Sequence, residues 1–415
     1  MAQVMEKKHR VLKQPRLRYQ SFKDDWKVEL LGEMLTFKNG VNAEKEQYGS
    51  GYKFINVLDI LQNDFITHDV IIGSVELSEA DFKKNEVVYG DILFQRSSET
   101  REEVGQANVY LDKKHTAAFG GFVIRGRAKK EYSPEFMNYL LRTDKARQEI
   151  TTKSGGSTRY NVGQEVLEGV SVILPTLPEQ QKIAAFLGAV DRKIQQLKRN
   201  QALLEQYKKG VVQQLFSQEL RFKIKRRGGE LVEPPEWEEK RLGDVCEVNP
   251  STGELPDSFI YIDLESVENG VLLKESRISA DEAPSRAQRV LRAKDVLFQL
   301  VRPYQMNNLY FDKSGDYVAS TGYAQLRAKG DPGFLFQYLH YQPFVSDVLE
   351  RSTGSNYPAI RPTDLAEIMV PVPSLEEQSR IAGFLMALDA KVAGVAQAVA
   401  AAQKWKKGLL QGMFV

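Results

Sequence analysis

The chain has 415 residues, of which 42% are hydrophobic, and it carries 57 Lys and Arg against 55 Asp and Glu. This composition is typical of a soluble globular protein, and the length predicts roughly two to four domains. The net charge of +2 neither requires nor excludes nucleic acid, so any surface that binds it must be local. Cys246 is the only cysteine, which excludes an intrachain disulfide and a cysteine-based metal site and favours a reducing compartment.

The sequence predicts neither secretion nor membrane insertion. Residues 1–10 are charged and lack the apolar core of a signal peptide, and we find no run of about 18 apolar residues. The four histidines are scattered without the spacing of metal ligands. A cytoplasmic protein is therefore expected.

The first half opens with a basic N-terminal extension, 1–20, and continues with short β-rich runs separated by Gly, Asn and Asp. A short helix is predicted after these runs, over 134–147. The predicted β-rich runs are 52–58, 70–75, 87–94, 109–111 and 121–124.

A long helix is predicted next, over 178–216. Apolar residues recur at alternating intervals of four and three, as at Ile183, Leu187 and Val190, which is the heptad pattern of a coiled coil. Ordinary packing in a domain core is the alternative explanation of such a stripe.

The second half repeats this order. A basic linker at 221–229 is followed by β-rich runs and by a short helix over 333–350. A second long helix then matches the first without a gap over about forty residues, at a constant offset of 198 (375 − 177 for Leu375 and Leu177). The β-rich runs of this half are 259–264, 270–273, 296–301, 309–311 and 317–326.

The globular regions match only loosely. Trp26 corresponds to Trp237 at an offset of 211 (237 − 26), whereas Asp91 corresponds to Asp295 at an offset of 204 (295 − 91). Two helices that stay alike beside two diverged domains predict one shared partner for the helices and two different targets for the domains. The predicted domains are 1–176, a helix at 177–218, 219–374 with its linker at 219–235, and a helix at 375–415.

We find no catalytic motif: the phosphate-binding loop, the dinucleotide fingerprint and the nucleophile elbow are all missing from the sequence. The segment Asn249-Pro250-Ser251 lacks the second proline and the aromatic residue of the adenine methyltransferase motif. Asp191 with Lys193, and Asp389 with Lys391, are interpreted as solvated charges on the long helices.

Polar and basic loops occur at matching places in the two halves: 95–101 and 299–308 follow corresponding strands, and 153–161 and 352–358 precede the long helices. Arg, Asn, Ser and Thr are side chains that read base edges or bind phosphates. Such loops are also often solvated without a partner, but their recurrence favours a binding role. The candidate DNA contacts are Arg96, Ser97, Arg101, Thr158, Arg159 and Tyr160 in the first half, and Arg302, Tyr304, Asn307, Ser355, Asn356 and Tyr357 in the second.

These features resemble the specificity (S) subunit of type I restriction–modification systems. The resemblance rests on the box Leu-Pro-Glu-Gln-Gln-Lys-Ile-Ala-Ala-Phe-Leu from Leu177 and its copy Leu-Glu-Glu-Gln-Ser-Arg-Ile-Ala-Gly-Phe-Leu from Leu375, each opening a helix after a variable domain. It covers the chain from about Pro15, and it assigns no role to the basic extension at 7–18.

The resemblance implies an α+β architecture, in which two α/β target-recognition domains are separated by two long antiparallel coiled-coil helices related by a pseudo-two-fold internal repeat. It implies a non-catalytic subunit that reads a bipartite, asymmetric site on double-stranded DNA. Two methyltransferase subunits would dock on the helices, and restriction subunits would join through the complex. No cofactor is expected on this chain; S-adenosylmethionine, ATP and Mg²⁺ would bind to the partner subunits.

The exposed helix faces are the candidate methyltransferase contacts. Three alternatives remain at this point: a fused methyltransferase–specificity protein, a stand-alone DNA-binding protein, and a coiled-coil adaptor that binds two proteins. The candidate partner contacts are Arg192, Lys193, Gln213, Phe216, Lys391, Gln411 and Phe414.

Overall fold

The computed structural model describes residues 14–156, 158–225, 229–251 and 253–415. Most of the predicted N-terminal extension and part of the basic linker thus lie outside the described residues. The chain forms two compact units. The first unit comprises the described residues up to Gln196 together with Ala398–Val415, and the second comprises Leu197–Gln397.

The first unit contains eleven strands and six short helices among its described residues, together with the first part of a long helix, α7. The strands are β1 (Lys27–Leu30), β2 (Leu35–Asn39), β3 (Tyr48–Ile55), β4 (Ser74–Val75), β5 (Ile92–Gln95), β6 (Ser97–Ser98), β7 (Ala107–Val109), β8 (Ala118–Phe119), β9 (Val123–Ala128), β10 (Tyr160–Asn161) and β11 (Ser171–Leu174). The helices are α1 (Leu31–Met34), α2 (Val57–Gln62), α3 (Glu79–Lys84), α4 (Pro134–Leu141), α5 (Asp144–Lys153), α6 (Gln164–Glu168) and α7 (Leu177–Phe216).

A four-stranded antiparallel sheet in the order β2-β9-β5-β7 organises the first unit. Its central strand β5 is buried on both faces, because alternate side chains of a strand point to opposite sides. Ile92 and Phe94 enter one core, which also contains Trp26, and Leu93 enters a second core with Phe119. A smaller sheet, β4-β3-β8, covers the second core.

The second unit contains the strands β12 to β25 and the short helices α8 to α11, together with the first part of a second long helix, α12. The strands are β12 (Ile224–Lys225), β13 (Leu231–Val232), β14 (Glu238–Arg241), β15 (Cys246–Val248), β16 (Ser258–Ile262), β17 (Val267–Glu268), β18 (Val271–Leu272), β19 (Arg277–Ser279), β20 (Ala287–Val290), β21 (Val296–Gln299), β22 (Leu309–Tyr310), β23 (Tyr317–Ser320), β24 (Tyr323–Ala328) and β25 (Met369–Val372). The helices are α8 (Leu242–Val245), α9 (Pro332–Tyr338), α10 (Gln342–Glu350), α11 (Pro362–Ala366) and α12 (Leu375–Met413).

The sheet β15-β24-β21-β22 of the second unit has the same order and strand directions as β2-β9-β5-β7. The central strand again divides its side chains between two cores: Val296 and Phe298 on one side, and Leu297 on the other. The alignment of Asp91–Gln95 with Asp295–Gln299 in the sequence therefore corresponds to one structural position in both units.

The predictions of one short helix over 134–147 and of another over 333–350 are wrong in one respect. Each region contains two short helices instead of one. In the first unit, α4 ends before Arg142, and the Thr143 hydroxyl caps α5 by accepting from the Ala146 N–H at 3.4 Å. In the second unit, Pro343 lies in the first turn of α10, where a proline without an N–H is tolerated.

The predicted long helices are confirmed: α7 begins at Leu177 and α12 at Leu375. Their heptad residues are most buried toward the helix ends, where Leu187 and Met413 join the core of the first unit, and Leu215 and Leu385 join that of the second. Each unit thus combines the first part of one long helix with the last part of the other. Packing in the domain cores accounts for these end residues, and a coiled coil between the helix centres stays a prediction.

The interpretation of Asp191 as a solvated charge is wrong. Its side chain is 12% exposed, accepts from the Tyr139 hydroxyl at 2.7 Å and pairs with Lys406 Nζ at 2.5 Å. Burial, with the hydrogen bond to Asp191, raises the pKa of Tyr139, so this hydroxyl stays a donor. The repeat-related Asp389 pairs with Lys208 and accepts from Gln337 Nε2 at 2.6 Å.

Two buried glutamates tie the chain preceding each domain to a long helix. Arg18 binds both carboxylate oxygens of Glu179, at 2.7 and 2.8 Å, and Arg221 binds both oxygens of Glu377, at 3.0 and 2.7 Å. Trp237 Nε1 also donates to Glu377 at 3.0 Å. Arg18 thus gives the end of the basic extension a structural role that the sequence did not reveal.

The expectation that no segment could span a membrane needs correction. By length and composition α12 is long and apolar enough, with a window of mean hydropathy 1.5. The physical reason is its alanine content, which raises hydropathy without large side chains. One such helix is weak support for a membrane span, and residues near its two ends, such as Leu385 and Met413, enter the cores of the units.

Candidate nucleic-acid interface

In the first unit, the two predicted loops meet. Strands β6 and β10 pair antiparallel, which sets Tyr160 opposite Ser98 and Asn161 opposite Ser97. The Ser97 hydroxyl donates to Asn161 Oδ1 at 2.5 Å, and the Val162 N–H donates to the Arg96 carbonyl at 3.0 Å. Segments 64 residues apart in sequence therefore form one surface.

The turn before β10 presents two of the candidate residues to solvent. Thr158 and Arg159 are exposed. Gly156 has a φ of +123°, and a Cβ there would lie 2.0 Å from the Arg159 carbonyl oxygen, so this close turn requires glycine. The adjoining Ser157 lies outside the described residues.

The two arginines of the loop after β5 differ in their surroundings. Arg96 is exposed, and its Nη1 donates to the Gly121 carbonyl at 3.3 Å, which leaves further N–H groups free to bind a ligand. Arg101 donates to the carbonyls of Thr151 and Thr152 at 3.1 and 3.3 Å. Because these carbonyls end α5, Arg101 has a helix-capping role that the sequence did not predict.

In the second unit, the corresponding loops also meet. Ala359 forms antiparallel bridges with Val301 and with Thr353. The Arg302 guanidinium lies over the Tyr357 ring at 4.2 Å from its centroid, a cation–π contact. The two predicted loops of this unit are therefore joined through a pair of candidate DNA contacts.

A short 3₁₀ turn, Pro303–Gln305, shapes the loop after β21. The residues that flank it, Arg302 and Met306, have φ values of +55° and +52°, which are uncommon for side chains other than glycine. Gln299 Oε1 accepts from the Asn307 N–H at 3.1 Å, and its Nε2 donates to Gln305 Oε1 at 2.8 Å. Buried Gln299 thus holds the C-terminal end of the turn.

The remaining candidates of the second unit are mostly solvent-facing. Tyr304 and Tyr357 are 49% and 62% exposed, and Ser355 and Asn356 are exposed beside them. Asn307 is half-buried, and its Oδ1 accepts from the Asn269 N–H at 3.1 Å, so its amide oxygen already has a partner. A DNA contact of Asn307 would use its amide N–H groups.

The prediction that Phe216 and Phe414 lie on exposed helix faces is wrong. Phe216 is 3% exposed and packs against Tyr338, and Phe414 is 8% exposed and packs against Trp26. The last aromatic residue of each repeat anchors the helix end in a domain core. The other candidate partner contacts are exposed: Arg192, Lys193, Gln213, Lys391 and Gln411.

Two exposed aromatic residues on the long helices were not predicted. Tyr207 and Trp405 are each 54% exposed and occupy the same repeat position, at the offset of 198 (405 − 207). Each directly precedes the lysine that pairs with a buried or half-buried aspartate, Lys208 or Lys406. The repeat could have revealed them as an aromatic residue present in both copies.

Comparison with known proteins agrees with this architecture. The family model of the type I restriction modification DNA specificity domain matches residues 23–206 and 234–398. A Methanocaldococcus jannaschii protein proposed as the MjaX type I restriction enzyme specificity subunit is 26% identical over 378 residues, which cover 88% of this chain and 87% of the relative.

Two solved structures share the fold. The S subunit of a type I restriction–modification system from M. genitalium superposes with a TM-score of 0.59 at 15% identity, over 97% of this chain and 99% of that one. A chain from a study of complex assembly and conformational transition of the type I R-M system gives a TM-score of 0.54 at 20% identity, over 94% and 96%. The chain therefore belongs to the type I restriction modification DNA specificity domain family, with two copies of that domain.

Proposed function

We propose that this chain is the DNA-recognition subunit of a type I restriction–modification complex, and that its two domains read the two halves of a bipartite, asymmetric site on double-stranded DNA. One observation carries the proposal: in each unit, two loops distant in sequence meet and bring arginine, hydroxyl and aromatic side chains together. Arginine reads guanine edges or binds phosphate, and such groups on one edge suit DNA.

The chain supplies recognition in this proposal, and its partners supply chemistry. Methyltransferase subunits dock on the long helices, and restriction subunits join through the complex. S-adenosylmethionine, ATP and Mg²⁺ bind to those partners, and the complex acts in the cytoplasm. The assignment is supported by the similar proteins, which include a proposed type I specificity subunit and a chain from a study of the assembly of a type I system.

Methylation-site sequencing tests the recognition role. The complete complex, with wild-type chain, Arg96→Ala or Arg302→Ala, is expressed in a host that lacks other methyltransferases. We expect each substitution to relax one position of one half-site, by roughly 5- to 150-fold, and to leave the other half-site unchanged. The control is Arg361→Ala, an exposed arginine paired with Asp364.

Unchanged motifs and rates in both variants would show that the loop assignments are wrong. Wild-type complex that methylates no defined sequence, and does not shift a duplex carrying the site, would instead favour the protein-only adaptor.

The docking role is tested by co-purification with the methyltransferase. We expect Tyr207→Ala and Trp405→Ala to weaken methyltransferase binding because each removes an exposed aromatic anchor, whereas a truncation at Gln378 removes the second helix and abolishes the full assembly. Retained full assembly after that truncation would contradict the proposal. Exposed Leu203, replaced by alanine, is the matched control on the same helix.

A further inference from the structure

A surface of the first unit next to Arg96 has no role so far. The chain at Val41 bridges to Gly120, which sets Asn42 beside the turn at Gly121 and Phe122. The Arg96 N–H donates to the Phe122 carbonyl at 2.9 Å, and the Arg96 guanidinium holds the Gly121 carbonyl. Asn42, Arg96 and Phe122 therefore surround one turn, although they come from three separate segments.

Two of these side chains are open to a ligand. Phe122 is 66% exposed, and the exposed Asn42 amide hydrogen-bonds to no other described residue. A Cβ on Gly121 would lie 1.8 Å from Asn42 Oδ1, so the glycine is what allows the amide to lie over the turn. An open cleft of about 450 Å³ begins here, with Tyr48 and Leu58 in its walls.

The second unit lacks this surface. Arg96 and Leu300 occupy the same position, because their N–H groups donate to the carbonyls of Phe122 and Gly322, both at 2.9 Å. Leu300 is 5% exposed, and a Cβ on Gly322 would lie only 3.1 Å from Leu264 Cγ. The exposed aromatic residue and the arginine are thus replaced by glycine and a buried leucine, as expected if the two domains read different sequences.

The chemistry of the three side chains indicates what would cover them. A phenylalanine left 66% exposed gains nothing for folding, and it lies beside an amide and a guanidinium with free N–H groups. An asparagine amide matches the N6 and N7 groups of adenine in the major groove, and an apolar side chain matches the C5-methyl group of the paired thymine. One A·T pair therefore satisfies both groups at once.

We propose that Asn42 and Phe122 read an A·T base pair in the half-site of the first unit, with Asn42 on the adenine edge and Phe122 on the thymine methyl group, while Arg96 holds the turn that carries Phe122. This inference rests on the proposed DNA-recognition function and extends it to a surface outside the predicted loops. Because the second unit lacks these side chains, this means of distinguishing base pairs belongs to the first unit.

Base analogues test the two contacts separately. The reconstituted complex is titrated with duplexes in which each thymine of the first half-site is replaced in turn by deoxyuridine, or each adenine by 7-deazaadenine. At one base pair, we expect loss of the methyl group to weaken wild-type binding roughly fourfold, the value of one buried methyl group. Phe122→Ala should bind both duplexes equally, and Asn42→Ala should be insensitive to 7-deazaadenine at the same pair.

Phe122→Leu and Asn42→Asp distinguish recognition from folding. Phe122→Leu keeps an apolar side chain and should retain part of the methyl preference, and Asn42→Asp keeps the shape but should lose adenine recognition. Val271→Ala, which shortens a 55% exposed apolar residue of the second unit, should leave the first half-site unaffected. Thermal unfolding of each variant verifies that the domain is intact.

Several results would overturn the inference while leaving the proposed function in place. They are wild-type binding that tolerates deoxyuridine at every thymine, full methyl sensitivity in Phe122→Ala, or a loss of methyltransferase co-purification in Phe122→Ala without any change in base preference. Failure of the wild-type complex to bind any sequence specifically would overturn the proposed function and this inference together.

Discussion

The two units attach to the long helices through the same contacts but present different edges to solvent. Glu179 and Glu377 each bind an arginine through both oxygens, and Asp191 and Asp389 each pair with a lysine of the other long helix. At the edge, backbone pairing joins the loops of both units, and the second unit adds the stacking of Arg302 on Tyr357. Contacts that carry the architecture recur, and those that we assign to DNA do not.

The two units also have different residues at one turn position where the backbone has a positive φ. Gly90 and Lys294 occupy the turn before the central strand, with φ values of +89° and +75°. Each donates its N–H across the sheet, to Tyr110 at 2.8 Å and to Phe311 at 2.6 Å. The second unit therefore carries a local strain that the first avoids.

The largest expected loss of stability comes from removing the arginine that pairs with a buried glutamate. Arg18→Met leaves Glu179, which is 1% exposed, without a partner, because Trp26 Nε1 has no hydrogen bond among the described residues. We expect a loss of about 3–5 kcal/mol in the unfolding free energy of the first unit. Arg221→Met should cost the second unit less, since Trp237 still donates to Glu377.

Urea unfolding followed by hydrogen exchange, read from peptides of each unit, measures these losses. The control is the double variant with Glu179→Met and Arg18→Met, which should recover most of the stability because no charge is left buried. Equal losses in the two single variants would contradict the role assigned to Trp237.

The next effect concerns the lysine–aspartate pairs. Lys406→Met removes the partner of Asp191, whose side chain is 12% exposed, and Lys208→Met removes that of Asp389, whose side chain is 38% exposed. We expect Lys406→Met to lower the unfolding free energy of the first unit by about 2 kcal/mol, and Lys208→Met to lower that of the second unit by less than about 1 kcal/mol. The second loss is smaller because water solvates the more exposed carboxylate of Asp389. Urea unfolding followed by hydrogen exchange measures both losses, and equal losses in the two variants would contradict this prediction. Lys407→Met, on the exposed helix face, is the control.

Lowering the pH is expected to destabilise the second unit through His340. Burial lowers the pKa of His340 below its ordinary value of about 6.5. The unfolded chain thus takes up a proton at a higher pH than the folded chain, so stability is full above about pH 6.5 and falls as the pH drops towards the folded pKa, by no more than about 1.4 kcal/mol per pH unit.

His340→Gln should flatten this dependence for peptides of the second unit, as measured by urea unfolding at a series of pH values. His115→Gln, an exposed histidine of the first unit, is the control. An unchanged slope in His340→Gln would contradict the prediction.

The smallest effect tests the strained turn. Lys294→Gly should stabilise the second unit by less than about 1 kcal/mol, because glycine adopts the positive φ without a steric penalty. Gly90→Ala should destabilise the first unit, since a Cβ there lies at positive φ and 3.4 Å from Pro134 Cγ. Thermal unfolding measures both, and destabilisation by Lys294→Gly would show that the turn is not strained.

Much of the fold could be predicted from local patterns. The heptad spacing at Ile183 and Leu187 indicates a helix, and the helix starts at Leu177 and Leu375 were located within a residue or two. The strands around Ile92–Gln95 and Val296–Gln299 were also found, since a short apolar run between turn residues is typical of a buried strand. The break between α4 and α5 was missed, because a single Thr143 cap interrupts an otherwise helical pattern.

The candidate site was predictable in part. The repeat pointed to the loops around Arg96 and Arg302, but it did not reveal that Arg101 caps a helix or that Asn42 lies beside Phe122. Those relations depend on which strands pair and in which register, and nothing near Asn42 in the sequence indicates a neighbour eighty residues away.

The amino-acid sequence was sufficient for the duplicated helices, the order of domains and the family, because these are recorded in the spacing of residues close together in the chain. The burial of Phe216 and Phe414, the pairing of Asp191 with Lys406 and the surface around Phe122 depended on the folded structure. Apolar spacing shows that a helix face is buried, but what it packs against follows from contacts between distant segments, and these form only when the strands and helices assemble.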